Sequence, residues 1–384
     1  MIRRYKLMIP GPTEVPDEVL EQMGAPVLPH YESEWAEIYW EVVGDLKQVF
    51  GTESDVFIVN GSGTLAIELA MASLLTEGDR VLSIANCGVG RGMGNAAQGF
   101  GATCVTVEGE QGKPMPPEKV RPYLERESFQ MVVAGHHDTP TGFLNPLDEI
   151  GALCREFDVP YLVDAVASLG GVPFEMDQCG VDLCCASVQK CLDCPPGLAV
   201  VGVSEKAWRK MEAKGELHRG RYMNLLAWRQ MAQKNRDWHP TLVTCATNNI
   251  MGLRASLKRI LREGLKARMQ RYARLGEMLR QGIRNMGLTT LVEDRYAPLL
   301  TAVQFPEEVN AAETREFIRH RYGVLVGRGG ENYFRIAHFG SAVSPDYITL
   351  VLVGIEDFLR RQGRPLRVGQ CLEGLDAYRE SESR

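Results

Sequence analysis

Lys190 is the residue of this sequence best placed to do covalent chemistry. It ends the tetrapeptide SVQK, which follows the apolar run 181–186 and precedes the turn PPG at 195–197. Desolvation of a lysine at the buried end of a strand lowers the pKa of its amine, so that the amine can act as a nucleophile or base. A solvated lysine that simply follows a strand is the alternative interpretation.

Asp164 is the second candidate, because it ends another apolar run, 159–163. An acid and a lysine at the ends of neighbouring strands suit pyridoxal phosphate. This cofactor needs a lysine for its Schiff base and a carboxylate that keeps its ring nitrogen protonated, so that the ring can accept electrons from a substrate carbanion. A helix cap or an ion-pair residue is the alternative interpretation, because the stretch 165–169 follows.

An anion-binding loop is indicated by the sequence NGSGT at 60–64, which follows an apolar run and opens a helical pattern. Its glycines let backbone N–H groups approach a ligand, the hydroxyls of Ser62 and Thr64 can donate, and a helix N-terminus favours negative charge. A plain strand-to-helix turn with a hydroxyl cap is the alternative. The loop lacks the GxGxxG pattern and the phosphate-loop lysine, so a nicotinamide-dependent oxidoreductase is a weak rival.

Seven short, valine-rich runs predict buried strands, and helical patterns separate most of them. The strands are expected at 55–59, 80–85, 103–107, 130–134, 159–164, 181–187 and 198–203, and the helices at 64–75, 90–98, 117–127 and 147–157. This alternation predicts an α/β fold with a mainly parallel sheet and helices on both faces. The site of such a sheet lies beyond the carboxyl ends of its strands, where both Asp164 and Lys190 would be.

The second part of the chain has a different pattern. A helical stretch over 246–286 contains Gly252 and Gly264 as weak points. It is followed by predicted strands at 299–305, 324–326 and 334–337 and by helices at 312–322 and 345–362. We therefore expect a large domain over 1–250 and a smaller α+β domain over 251–384.

Composition narrows the class of protein. The 384 residues are 45% hydrophobic and 24% charged, with a formal net charge of −6, so no basic field favours nucleic acid. No apolar run reaches the ~20 residues that span a membrane, and the basic start is not followed by the apolar core of a secretory signal. Ten scattered cysteines are typical of a reducing compartment, so we expect a cytoplasmic protein.

Four cysteines close to Lys190 form a competing candidate. Cys191 and Cys194 have CxxC spacing, and Cys184 and Cys185 lie just upstream, so a zinc or iron–sulfur site is one hypothesis. Adjacent residues of a strand point to opposite faces, which lets only one of the upstream pair join such a site. Buried small hydrophobes are therefore the preferred interpretation, with no metal.

Together these motifs resemble class V aminotransferases of pyridoxal phosphate fold type I, in the alanine–glyoxylate and serine–pyruvate subgroup. The resemblance covers nearly the whole chain and is carried by PGPT at 10–13, GSG at 61–63, HDTPTG at 137–142, VDAVASLGG at 163–171, SVQK at 187–190, PPG at 195–197 and FRI at 334–336. It implies pyridoxal 5'-phosphate as cofactor and transfer of an amino group between a small amino acid and a 2-oxo acid.

The resemblance implies a role for each matching position. Lys190 would carry the cofactor as a Schiff base and move the proton, and Asp164 would pair with the pyridine nitrogen. Arg335 would clamp the substrate carboxylate through two parallel hydrogen bonds, although without the resemblance it is one arginine among many. The remaining cofactor-binding positions are Ser62, Gly63 and Thr64 at the phosphate with Gln189 beside them, Thr139 near the ring hydroxyl, and Trp238 and Thr241 at the phosphate of a neighbouring subunit. A homodimer with shared active sites follows.

Two departures from the family pattern bear on the substrate. The loop 86–92 lacks the aromatic residue that usually stacks on the cofactor ring, and Val89 is the apolar candidate there. The segment HHDT at 136–139 and an arginine at position 328 resemble pyridoxamine–pyruvate aminotransferase, which takes free pyridoxamine. That enzyme has a glutamate where this chain has Ser62, so we expect ordinary cofactor-bound transamination first. Arg328 then binds an acidic group of the substrate or is a solvated loop residue.

Two other classes stay open. A lyase or desulfurase of the same fold would need a mobile cysteine, and the downstream candidates are Cys245 and Cys371. A cofactor-free or metal-binding member that acts as an interaction subunit is the other class. The intact set of Asp164, Gln189 and Lys190 argues against it.

Overall fold

The structure, a computed structural model, describes residues 5–110, 112–215, 219–292 and 296–379. None of the helices in these ranges combines the length and the apolar character needed to cross a membrane. In chain order the elements are β1 (Lys6–Met8), α1 (Asp17–Met23), α2 (Ser33–Phe50), β2 (Asp55–Gly61), α3 (Gly63–Leu74), β3 (Arg80–Ala85), α4 (Gly88–Gly99), β4 (Thr103–Glu108), α5 (Pro117–Arg126), β5 (Met131–Gly135), β6 (His137–Asp138), β7 (Phe143–Leu144), α6 (Leu147–Glu156), β8 (Tyr161–Asp164), β9 (Leu183–Ser187), β10 (Gly197–Val203), α7 (Glu205–Lys214), α8 (Leu225–Lys234), α9 (Thr247–Glu263), α10 (Leu265–Asn285), β11 (Thr289–Thr290), β12 (Leu300–Gln304), α11 (Ala311–Tyr322), β13 (Val324–Val326), β14 (Tyr333–Ala337), α12 (Pro345–Arg361) and α13 (Asp376–Arg379), with a 3-10 helix at Gln370–Leu372.

A seven-stranded sheet in the order β2-β10-β9-β8-β5-β3-β4 organises the first part of the chain. Strands β4, β3, β5, β8 and β9 pair in parallel, whereas β10 runs antiparallel to both β9 and β2. The seven predicted strands and the mainly parallel α/β fold are therefore confirmed. Every residue of β5 and β9 is buried, because helices cover both faces of the sheet.

The two faces of the sheet carry separate cores. Helices α2, α5, α6 and α9 pack on one face, and α3, α4, α7 and α8 pack on the other. Cys184 lies in the first core and Cys185 in the second, as strand alternation requires. The predicted helices 64–75, 90–98, 117–127 and 147–157 are confirmed within one or two residues as α3, α4, α5 and α6.

The long helical stretch predicted over 246–286 is two helices, α9 and α10, which meet at Gly264. Gly264 has φ +82°, a value that favours glycine and ends a helix. Gly252, the other predicted weak point, stays inside α9. A Cβ there would lie 2.6 Å from Cγ of Met23, so its small size allows α9 to pack closely against α1.

The second part of the chain is built on the antiparallel sheet β11-β12-β14, with α10, α11 and α12 packed around a third core. Strand β1 from the start of the chain pairs in parallel with β13, and its Met8 is buried in this core. Helix α9, in contrast, contributes Ile250 and Leu253 to the core of the large sheet. The predicted division at residue 250 falls inside α9 and stays a prediction.

A buried ion pair fixes the turn that follows Lys190. Asp193 has φ +48° and is 1% exposed, and its Oδ2 accepts hydrogen bonds from Nη2 of Arg268 at 2.5 Å and from the backbone N–H of Ser341 at 3.1 Å. Arg268 also donates to the carbonyl oxygen of Cys191 at 2.9 Å. Helix α10 and the loop after β14 therefore both hold this turn in place.

Replacing Arg268 with methionine should lower the free energy of unfolding by about 3–5 kcal/mol, because the carboxylate of Asp193 would stay buried without its cation. Arg284→Met on the same helix is the control. Arg284 is half-exposed and pairs with Glu277, so its loss should cost about 0–1 kcal/mol. Urea denaturation followed by circular dichroism measures both values. Equal losses in the two variants would contradict a structural role for the buried pair.

Candidate functional site

Lys190 and Asp164 lie at the same edge of the large sheet. Strands β8 and β9 are parallel neighbours. Asp164 is the last residue of β8. Lys190 comes three residues after the end of β9 and just before the turn that Asp193 and Arg268 hold. Lys190 is half-buried, and its Nζ donates a hydrogen bond to the carbonyl oxygen of Pro10. Burial lowers the pKa of this amine against the opposing charges of Cys191 and Asp164. The proximity predicted for Lys190 and Asp164 is thus present.

The N-terminal segment 10–13 covers the lysine. A Cβ on Gly11 would lie 2.5 Å from both Nζ and Cδ of Lys190, and Gly11 has φ +126°, so a larger residue would be strained here and would displace the lysine side chain. The hydroxyl of Thr13 donates to the carbonyl oxygen of Lys190 at 3.1 Å, and its N–H donates to that of Gln189 at 3.1 Å. From the sequence, the motif PGPT is significant only through the family resemblance. The structure shows that this motif lies against Lys190.

Asp164 has the properties of a partner for a cationic ring nitrogen. Its Oδ1 accepts the N–H of Val166 at 2.8 Å. Desolvation raises the pKa of its carboxyl to about 6, although that N–H and the charge of Lys190 act in the opposite direction. A desolvated carboxylate gains most from a positive partner, because the partner offsets the cost of burying its charge.

Thr139 lies in the turn of the tight hairpin β6–β7, next to Arg335 of strand β14. Nη1 of Arg335 donates to the carbonyl oxygen of Thr139 at 3.1 Å, and its Nε donates to that of Arg328. Burial lowers the pKa of Arg335 against the opposing charge of Asp138. The charge of Arg335 in turn lowers the pKa of Lys190, so the guanidinium lies within electrostatic range of the amine.

Three polar residues of this hairpin are buried. Burial lowers the pKa of His136 to about 3 and that of His137 to about 4, so both are neutral near pH 7. Asp138 accepts hydrogen bonds on Oδ2 from the N–H of Thr141 at 3.0 Å and from its hydroxyl. Nε2 of His137 and Oδ1 of Asp138 have no partner among the described residues. The sequence singled out this segment as unusual without a role for His137 or Asp138.

The predicted phosphate loop forms the start of α3. Oγ of Ser62 accepts the N–H of Leu65 at 3.3 Å and caps the helix. Ser62 and Thr64 are exposed, and Gly63 is buried. A Cβ on Gly63 would overlap the side chain of Val166, the residue whose N–H binds Asp164. The loop is therefore packed directly against the segment that follows Asp164.

Trp238 and Thr241 are not linked to the other predicted site residues within this chain. Trp238 is 51% exposed, and Thr241 is fully buried. No hydrogen bond or ring contact among the described residues joins either of them to Lys190 or Asp164. Their segment is instead fixed at Asn60, whose side chain donates to the carbonyl oxygen of Thr244 at 2.9 Å and accepts the N–H of Ala246 at 3.1 Å. Asn60 immediately precedes the phosphate loop.

Arg328 is exposed, and its side chain has no hydrogen-bond partner in the part of the chain that the structure describes. Val89 lies against Gly135, where a Cβ would come within 2.9 Å of its Cγ1. Cys87 borders the same edge, because the charges of Asp138 and Asp164 both contribute to its raised pKa of about 11, which is due mainly to burial. These are the apolar side chains of the loop at the sheet edge.

The cysteine cluster is buried and does not converge. Cys184, Cys185, Cys191 and Cys194 are free thiols, each 1% exposed or less, and the first two lie on opposite faces of the sheet. Across the four described ranges, no group of three histidines, cysteines or acidic residues is arranged to hold a metal ion.

The residues at this edge fit pyridoxal phosphate. The desolvated carboxylate of Asp164 suits a protonated ring nitrogen, and the amine of Lys190 is close enough for their charges to interact. The Gly63 turn brings backbone N–H groups to a helix N-terminus, where phosphate binds. Oγ of Ser187, 3.4 Å from the position of a Gly63 Cβ, is buried without a partner among the described residues, so an oxygen of the ligand would satisfy it.

Residues 7–343 match the family model of the class-V aminotransferases. The chain belongs to the class-V aminotransferase family. Enzymes of this family and fold depend on pyridoxal phosphate, which agrees with the cofactor predicted from the sequence. The family assignment and the aminotransferase class are thereby confirmed.

Relatives with different substrates are about equally similar to this class-V aminotransferase. It is 32% identical over 380 residues to a pyridoxamine–pyruvate transaminase of Mesorhizobium japonicum, covering 97% of this chain and 96% of that protein. It is 30% identical over 357 residues to an alanine–glyoxylate aminotransferase of Drosophila melanogaster, covering 90% of each. The crystal structure of ureidoglycine–glyoxylate aminotransferase from Bacillus subtilis superposes with a TM-score of 0.93 at 26% identity, covering 99% of each chain.

Gly11→Ala should weaken the binding of pyridoxal phosphate by about tenfold or more, because the added Cβ displaces the amine of Lys190. Gly287→Ala is the matched control, since Gly287 also has positive φ (+69°) but no atom within 4 Å of the position that a Cβ would take. Titration of the apo protein, followed by the visible absorption of the bound cofactor, measures both affinities. Unchanged binding in Gly11→Ala would show that the close contact is not needed.

The raised pKa of Asp164 predicts a pH dependence of stability in the apo protein. The folded protein holds this proton up to about pH 6, whereas the unfolded chain releases it near pH ~4. The contribution of this carboxyl to the free energy of unfolding therefore falls as the pH rises from about 4 to about 6, and it is constant above that range. Buried His136 and His137, whose pKa values are lowered, act in the opposite direction, so the quantity to test is a difference. The free energy of unfolding of the wild type minus that of Asp164→Asn, measured by urea denaturation, should fall between about pH 4 and about pH 6. Identical pH profiles would contradict the assignment.

Proposed function

We propose that this aminotransferase moves an amino group from a small amino acid, alanine or serine, to glyoxylate or pyruvate, with its cofactor attached to Lys190. The observation that carries the proposal is the half-buried amine of Lys190 beside the desolvated carboxylate of Asp164. The family supplies the reaction class, and the alanine–glyoxylate relative supports the choice of substrates.

Each of three side chains has a defined task in this proposal. Bound pyridoxal phosphate supplies an electron sink that allows the bond from the α-carbon of the substrate to its hydrogen to break. Lys190, with its lowered pKa, takes that proton on Nζ and returns it, as general base and acid. Asp164 holds the proton on the ring nitrogen. Arg335 binds the carboxylate of the substrate, and its hydrogen bond to Thr139 keeps the guanidinium oriented.

The remaining predicted residues bind the cofactor. We assign the phosphate to Ser62, Gly63 and Thr64 with Gln189 beside them, and we assign the ring hydroxyl to Thr139. Ser62 and Thr64 are exposed in the single chain, which leaves room for residues of a second subunit.

A homodimer with shared sites completes this arrangement. We assign Trp238 and Thr241 to the phosphate of the partner subunit, as the family resemblance implies; among the described residues neither is hydrogen-bonded to Lys190 or Asp164 of its own chain. The exposed indole of Trp238 suits such an interface, where tryptophan is enriched. We place the enzyme in the cytoplasm, where ten free thiols stay reduced.

The attachment of this segment at Asn60 supports the same arrangement. Asn60 lies next to the phosphate loop and holds the chain that follows Thr241. In a two-fold dimer, a segment beside one site can also reach across the interface to the other. Through Asn60, the phosphate loop of one subunit would thus be linked to Trp238 and Thr241, the residues that this subunit contributes to the site of its partner.

Free pyridoxamine as the amino donor is the second candidate. The segment 136–139, the position of Arg328 beside Arg335 and the 32% identical pyridoxamine–pyruvate transaminase favour it. Ser62 favours the first candidate, because a loop that caps a helix and offers N–H groups suits a tightly held phosphate.

A desulfurase or lyase has less support. Such an enzyme needs an accessible, reactive thiol on a loop. Cys371 is fully buried in the third core, and Cys245 is 8% exposed. Burial raises the pKa of Cys245 to about 11, so neither thiol is reactive in the folded chain.

The purified protein should be yellow, and Lys190→Ala should abolish the visible band of the lysine-linked cofactor. Borohydride reduction followed by peptide mass spectrometry should place the cofactor on Lys190 in the wild type. Lys210→Ala is the control, because Lys210 pairs with Asp158 on the surface and its loss should leave the band unchanged. Loss of the band on mixing with alanine or serine identifies an amino acid donor, whereas formation of pyridoxal from free pyridoxamine and pyruvate, without added pyridoxal phosphate, identifies pyridoxamine as the donor. A colourless protein that gains no band with added pyridoxal phosphate would refute the proposal.

A further inference from the structure

A cavity rich in arginine adjoins the proposed site. Its volume is about 320 Å³. Pro10 and Gly11, which contact the side chain of Lys190, form part of its wall, as does Arg335. Helix α11 and the loop after β13 supply its other charged residues, which are Arg315, Arg319, Glu316 and Arg328.

The charges of the cavity wall are not balanced. Four arginines face one glutamate, which gives a formal net charge of +3. Glu316 accepts hydrogen bonds from Nη2 of Arg315 at 3.1 Å and from Nη1 of Arg319 at 3.2 Å, so it is shared between two cations. The buried Nε atoms of these two arginines have no acceptor among the described residues, and the side chain of Arg328 has no described partner.

We propose that this cavity binds a second acidic group of the substrate. The inference rests on the proposed transamination and on Arg335 as the ligand of the first carboxylate. Guanidinium groups bind carboxylate, sulfonate and phosphonate through parallel, charge-assisted hydrogen bonds. Alanine and serine have no second acidic group for these cations to bind, whereas a substrate with an acidic side chain has one. One of the two substrates is therefore an amino or 2-oxo acid with a distal acidic group, which takes the place of one of the small substrates proposed above, while the transamination itself is unchanged.

The inference extends the site to residues that no motif marked. Arg315 and Arg319 lie one helical turn apart on α11, so their side chains lie on one face of the helix. Arg321 lies on the same helix outside the cavity, half-exposed and paired with Asp357 at 3.0 Å. It serves as a matched control for the loss of one positive charge.

Calorimetric titration of the cofactor-loaded enzyme with unreactive acids tests the cavity directly. Succinate and butyrate have the same chain length and differ in one carboxylate. Succinate should bind about tenfold more tightly or better. Arg315→Gln and Arg319→Gln should each remove most of this advantage, whereas Arg321→Gln should keep it. Equal affinities for the two acids would overturn the proposal. Binding of inorganic phosphate that depends on Arg319, without a preference for succinate, would assign the cavity to a free anion and also overturn it.

Half-reactions with L-aspartate, L-cysteate and L-alanine separate this inference from the proposed function. The two acidic donors should convert the cofactor faster than alanine, and Arg319→Gln should slow them about tenfold while changing alanine less than about twofold. If alanine reacts and the acidic donors gain nothing from Arg319, the cavity proposal fails and transamination stands. If no donor reacts but the preference for succinate depends on Arg315 and Arg319, the cavity proposal stands and the proposed function fails.

Discussion

The site depends on one constraint: the amine of Lys190 must be kept largely out of water without a carboxylate bound to it. Its Nζ has the carbonyl oxygen of Pro10 as hydrogen-bond acceptor, and Asp164 acts on it only through its charge. A direct ion pair would hold the amine protonated, whereas desolvation lowers its pKa. A Cβ on Gly11 would displace the amine, so the close approach of this glycine is part of what positions the lysine.

Keeping the lysine in place requires both parts of the chain. The turn after Lys190 is held by the buried pair of Asp193 and Arg268 from helix α10. The segment that covers the lysine continues from β1, which pairs with β13 of the smaller part. A displacement of the smaller part would therefore act on the lysine from two sides. The same part carries Arg335, the proposed ligand of the substrate carboxylate, so in this proposal substrate binding is mechanically connected to the position of the amine.

The seven strands of the large sheet and the placement of Asp164 and Lys190 at one edge of it could be predicted because they depend on local patterns. Valine-rich runs that are buried on both faces identify parallel strands, and strand ends identify Asp164 and Lys190. Contacts between distant segments had no such signal. The pairing of β1 with β13, the partner of Asp193 and the packing of Gly11 each join residues far apart in the sequence. Arg315 and Arg319 of the arginine cavity were missed for the same reason, since an arginine on a solvated helix and one in a cavity have the same sequence pattern.

The neutrality of the buried histidines limits which group can move protons. His136 and His137 have pKa values of about 3 and about 4, so both are weak bases and neither is a cationic acid near pH 7. Oδ2 of Asp138 accepts both hydrogen bonds from Thr141, and Lys190 remains the proposed base. A charged histidine here would add to the positive field of Arg335 and Lys190 and raise the cost of burying all three. Because their pKa values are low, the two histidines stay neutral and add no positive charge next to Lys190. The positive charge of this part of the site is then carried by Arg335 and Lys190.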